Sequence, residues 1–214
     1  AQVLDTSISS NVNVDADSEY VIHGSKVIDL SKIDVDELRL EIQKTPYKAI
    51  EIDDLKKYLE EALQKMINKN CTRVKFSERF KGIVDRYNAG GSENEDYYEQ
   101  LIKLLEEMQA EQKRADTEGL SEEELEVYDL LIKGKKLTKA EEQKVKLAAK
   151  NLYKKLTEEK ATLMVVDWYK DDQPTERVKT AIKESLNIDL PECYDKESFN
   201  AKTVLLLNHF IDMA

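Results

Sequence analysis

The sequence holds two histidines, His23 and His209, and two cysteines, Cys71 and Cys193, each pair widely separated. Neither histidine has an H-x-x-x-H or H-E-x-x-H neighbour, so no local spacing sets up a metal site or a base–nucleophile pair. His209, on an apolar helical pattern, reads as a structural histidine. The cysteines offer neither a disulfide framework nor a paired zinc spacing, which is the usage of a reducing cytoplasm. The triplets Asp54-Leu55-Lys56, Glu111-Gln112-Lys113, Glu142-Gln143-Lys144 and Glu158-Glu159-Lys160 have the spacing with which a strand can hold Mg2+ and set a lysine beside developing charge. All fall in helical, Glu/Lys-rich stretches, where they read as solvated faces with i,i+4 pairing. No catalytic, cofactor-binding or metal-binding residue is assigned.

The stretch "RYNAGGSENEDYYEQLIKLLEEM" (86–108) poses a sharper choice. A glycine pair before a helix can cradle a phosphate, because the helix start presents free N–H groups and a positive dipole end. Here the first turn already holds Glu93, Glu95 and Asp96, which would repel a phosphate. There is also no G-x-x-x-x-G-K-[ST] and no G-x-G-x-x-G, so the pair reads as a corner, closed at Asn88 and reopened at Asn94.

Charge is segregated along the chain. Residues 93–126 hold 13 acids and 3 bases, whereas residues 133–155 hold 9 lysines against Glu141 and Glu142. Lys135, Lys136, Lys144, Lys146, Lys150 and Lys154 are candidate contacts to DNA or an acidic partner; the bland alternative is a solvated helix. No base-stacking platform interleaves them. The sole tryptophan lies in "DWYKDDQP" (167–174), so Trp168 either plugs the core or anchors a partner. Trp168, Tyr169 and Arg177 are therefore the candidate partner interface.

The elements that must position these groups are helices. The 214 residues include only 6 glycines and 3 prolines, and 36% are charged. Leu55, Tyr58, Leu59, Ala62, Leu63, Met66 and Ile67 form one apolar stripe. Phe76, Phe80, Ile83, Val84 and Tyr87 form another, as do Tyr97, Tyr98, Leu101, Leu104, Leu105 and Met108. Ser121 with Glu124, and Thr138 with Glu141, predict two capping boxes separated by a break at Gly134. The apolar run "TLMVVDWYKDD" predicts a buried helix continuing into a turn, with a short strand as the alternative. Pro174 suits a first turn. Asp195 caps a last helix burying Phe199, Val204, Leu206, Leu207, Phe210 and Ile211.

The expected fold class is all-α, an array or bundle of about seven helices. A short extended or hairpin segment at the N-terminus is centred on His23-Gly24-Ser25, and Asp34 caps a short helix. Residues 1–45 are expected to be a connector and 46–214 a helical domain. The formal net charge of -11 argues against non-specific nucleic-acid binding by the chain as a whole. No stretch approaches the ~20 apolar residues of a membrane span. A start at "AQVLDTSISS" without Met reads as a piece of something longer.

Taken in order, "IEIDDLKKYLEEALQKMINKN", "ERFKGIVDRYNAGGSENEDYYEQLIKLLEEM", "GLSEEELEVYDLL", "LTKAEEQKVKLAAKNLYKKL", "VVDWYKDDQPTERVKTAIKESL" and "LPECYDKESFNAKTVLLLNHFID" resemble the C-terminal helical region of the R subunit of type I restriction-modification enzymes. The resemblance covers about residues 46–214. It implies a parent that is a DNA-translocating endonuclease using ATP and Mg2+, with no cofactor in this segment. It further implies a helical tail that docks the motor onto the methyltransferase and specificity (M and S) subunits, contact with DNA through that complex, and no membrane. No catalytic residue carries over. Tyr87, Asn88, Asn94, Tyr97, Tyr98, Trp168 and Tyr169 match as architecture. An alternative is a DNA-backbone module built on the lysine helix, and another is an unrelated helical interaction domain.

Overall fold

A computed structural model describes Leu30, residues 33–44 and residues 48–214. The expected hairpin around His23 lies outside the described residues, as does most of the expected connector. Every described regular element is helical, with no strand among them. In chain order these are α1 (Val35–Lys44), α2 (Lys48–Lys69), α3 (Val74–Asn88), α4 (Asn94–Gln112), α5 (Arg114–Glu118), α6 (Glu122–Ile132), α7 (Lys139–Glu158), α8 (Lys160–Leu163), α9 (Asp172–Asp189) and α10 (Lys196–Asp212). Short 3-10 turns occupy Cys71–Arg73 and Trp168–Lys170. The all-α expectation holds.

The chain divides into two compact units, 1–114 and 115–214, each with its own apolar core. In the first, α4 packs against α1, α2 and α3. Its stripe of Tyr97, Tyr98, Leu101, Leu104, Leu105 and Met108 is fully buried, as the 3.6-residue period requires. Asp34 caps α1, its Oδ1 accepting from the backbone N–H groups of Asp36 and Glu37. Tyr98 donates to the Leu38 carbonyl, and Gln109 to those of Leu30 and Ile33, which ties the start of the described chain to α4.

In the second unit α7 lies against α6 and α9, and α10 against α6 and α9. Both capping boxes form: Ser121 and Thr138 each accept from the third helical N–H, and Glu124 and Glu141 reach back. Thr138 holds the Glu141 carboxyl below the usual carboxylate range. Asp195 caps α10 as expected.

Several expectations need correction. The run after Leu156 is not a buried helix: α7 stops at Glu158, α8 is a single turn with no buried residue, and Val166 is 94% exposed. In α10 Val204 faces solvent, and Lys202 and Thr203 take buried places instead. Lys202 reaches back to the end of α6, donating to the carbonyls of Leu130 and Lys133 at 2.7 and 2.6 Å. Those carbonyls belong to a helix C-terminus that lacks intrahelical donors. Finally, Glu111 is no solvated face residue. It is buried and accepts from Arg73 and Arg114, with Lys75 beside it.

Candidate functional site

At the 86–94 corner, α3 ends at Asn88 and Gly90 takes φ 74, the left-handed region open to glycine. Gly91 closes against the stem of Arg86, whose Cγ would lie 3.0 Å from any added Cβ. Asn94 does not cap α4; the cap position is Glu93, and Asn94 Oδ1 accepts from the Tyr87 hydroxyl at 2.7 Å. Tyr87 stacks on the buried Tyr97 ring, centroids 4.0 Å apart. Glu95 pairs with Lys48. The corner is thus an aromatic clasp with a negative helix start, which does not suit a phosphate cradle.

Most acids of α4 are paired within their own unit. The Arg39 fork holds Glu99 and also reaches Glu106 at 3.0 Å. Glu107 pairs with Arg79. Glu111 is held as described above. The acidic run 93–111 therefore presents much less charge than its sequence suggests.

The six candidate lysines do not share a face. Lys135 donates to the Cys193 carbonyl at 3.1 Å, with its ammonium 5.0 Å from the Tyr194 ring centroid. Tyr194 is buried and donates to the Leu131 carbonyl, and burial pushes its hydroxyl pKa well up. Lys146 pairs with Glu118 and sits over Tyr128. By helical register Lys150 and Lys154 lie opposite the buried Val145, Ala149 and Leu152, whereas Lys144 lies on a flank. Lys136 is exposed in the link before α7. What reaches solvent is a short basic strip with the exposed Leu147 among it.

Trp168 is 3% exposed and belongs to the second core. Its backbone carbonyl accepts from Thr175, and Tyr169 meets its ring edge-on. Trp168 also floors a cleft of about 440 Å³, whose rim carries Met164, Val165, Val166, Phe210 and Met213. Val166 and Met213 are 94% and 61% exposed. Thr157, Lys160 and Asp167 also line the cleft, and exposed apolar side chains beside a buried aromatic and a few polar groups are the kind of surface that buries a partner side chain. Sequence reasoning singled out Trp168 and missed the valines, because a run of apolar residues reads as core. Arg177 is exposed and lines a separate shallow groove between α7 and α9 with Glu176 and Glu184. His209, half inward on α10, lies with Nε2 3.5 Å from the Glu126 carboxylate, a structural pairing.

Residues 1–209 match the family of type I restriction enzyme HindI endonuclease subunit-like chains, C-terminal region. The chain belongs to this family. Over 149 residues it is 28% identical to a Methanocaldococcus jannaschii protein described as an endonuclease subunit of the type I restriction enzyme MjaIXP. That alignment covers 69% of this chain and 14% of the relative, so the chain spans a small part of the relative's length. No solved structure matches. Among its described residues this member of the family is all-α, with an apolar core in each of its two units. No helix among its described residues is long and apolar enough to cross a membrane.

Proposed function

We propose that this C-terminal region is the docking segment of a type I restriction endonuclease subunit, seating the motor and nuclease on the methyltransferase–specificity core. The observation that carries it is the apolar cleft at the α8–α9 turn. An exposed pair, Val165 and Val166, stands with Met213 above a buried Trp168, and no element of the second unit covers it. A partner's apolar side chain there would remove this rim from water at roughly 25 cal/mol per Å². Hydrolysis of ATP and cleavage of DNA with Mg2+ belong, in this reading, to other parts of the parent.

The test is binding of the 214-residue chain to the M and S subunits of its own system. V166D/M213D places charge on two exposed positions, so the fold should keep its helical signal. The expected result is co-elution of the wild type and a loss of at least roughly tenfold in affinity for the double variant, as when an interface core gains an unpaired charge. Unchanged binding by V166D/M213D, or a parent that assembles without this region, would overturn the proposal.

A further inference from the structure

The turn that opens the cleft also builds a projection beside it. The Trp168 N–H donates to the Val165 carbonyl at 3.0 Å and the Lys170 N–H to that of Asp167 at 2.9 Å, with Asp167 left-handed at φ 59. A turn held in this way sends Trp168 into the second core and leaves Val166 94% exposed. Val166 therefore stands on the rim of the cleft and does not fill it. Val165, 46% exposed, stands beside it. One patch of surface thus offers an apolar projection next to a recess of about 440 Å³ floored by Trp168.

A projection beside a recess of matching chemistry is what a two-fold contact between identical chains requires, because each copy must give and receive the same group. Charge points the same way. The chain carries a net -11, which as a whole disfavours self-association. The charged side chains lining the cleft are Lys160 and Asp167, one of each sign, so two copies meeting here present a base and an acid to one another. Asp167 has Lys170 at 2.9 Å, whereas Lys160 is exposed and makes no ion pair among the described residues. We infer that a second copy of this chain occupies the cleft, Val165 and Val166 of each copy entering the recess of the other, with Lys160 facing Asp167 of the second copy. The cleft is lined by 13 residues, fewer than the roughly 20–30 a side of a standard interface, so the dimer is weak and reversible. Its consequence rests on the docking reading: pairing covers the cleft until the methyltransferase–specificity core displaces the second copy.

Sedimentation equilibrium of the 214-residue chain tests this, at loadings from about 1 μM to about 1 mM, where weak contacts associate and dissociate. The wild type should rise from the monomer mass toward twice that mass, and V166D/M213D should stay monomeric throughout. Lys160→Glu should raise the dissociation constant by roughly tenfold, since it sets acid against acid across the two-fold. K160E/D167N removes that repulsion with a residue that tolerates positive φ, and should recover most of the loss. Three outcomes overturn the inference. One is a wild type that is monomeric at every loading. Another is V166D/M213D that pairs as the wild type does. The third is Lys160→Glu that pairs undiminished, and this variant decides the matter if the double variant loses its helical circular dichroism. Docking is read separately, by adding the M and S subunits to the paired chain. Uptake that leaves the pairing intact loses the docking proposal alone, and a wild type that docks through Val166 and Met213 yet never pairs loses this inference alone.

Discussion

Asp167 has a φ of 59°, the one positive value outside glycine among the described residues. Its position decides where Val166 and Trp168 point, since the turn must throw one side chain out and the next one in. The Lys170 ammonium, 2.9 Å away, helps to hold it. Asp tolerates the left-handed region better than most residues, and a β-branched residue tolerates it worst. Asp167→Val should therefore cost about 1–2 kcal/mol in a denaturant titration, whereas Asp167→Gly should stay within ~1 kcal/mol of wild type. Lys202 makes a second residue-scale case. Burial, with Lys135 and Lys133 nearby, lowers its pKa from 10.5 to about 8. A neutral amine still has two hydrogens for the Leu130 and Lys133 carbonyls. Below about pH 8 the folded protein bears the full cost of the buried charge; between about 8 and 10.5 the unfolded chain alone holds the proton, so stability rises with pH. Lys202→Met should lose about 1–3 kcal/mol at neutral pH by stranding those carbonyls. Its stability should lack the alkaline rise, as urea midpoints measured from pH 7 to 10 would reveal.

At the scale of elements, α6 and α7 show how far local chemistry reaches. Their starts could be read from four residues each, because a capping box is complete within one turn. Ser121→Ala or Thr138→Ala should cost about 1 kcal/mol each by thermal melting, with little change elsewhere. The stripe of α4 was equally legible, since its period leaves only one face to bury. The 160–167 region was not. Met164, Val165 and Val166 read as core, but Asp167 turns the chain left-handed and leaves α8 one turn long. Apolarity without a period does not say which side is in. In α10 the buried Lys202 was invisible for a related reason: the carbonyls it satisfies belong to α6, far away in sequence. Helix propensity is testable on α3, where Gly82→Ala should raise stability by about 0.5–1 kcal/mol in a urea titration, since an added Cβ there meets nothing within 4 Å.

At the scale of the molecule, the sequence shows an acidic segment, residues 93–126, followed by a lysine-rich one, residues 133–155, and only Glu118 with Lys146 pairs one to the other among the ion pairs described. Glu95, Glu99, Glu106, Glu107 and Glu111 instead find Lys48, Arg39, Arg79, Arg73 and Arg114 within the first unit. Such pairing is tertiary, and no count along the chain reveals it. The division at Arg114 was likewise hidden, because it falls in a polar helical stretch with no Gly or Pro to mark it. Two cores should unfold as two cooperative events, and the sole tryptophan, buried in the second, distinguishes them. Leu152→Ala removes a fully buried side chain from the second core and should lower the Trp168 fluorescence midpoint by the equivalent of about 2–5 kcal/mol. Leu101→Ala, equally buried in the first core, should shift the far-ultraviolet circular dichroism transition more than the fluorescence one. If both variants moved both signals together by the same amount, the two cores would be one cooperative unit, and the cleft over Trp168 could not be perturbed independently of the first core.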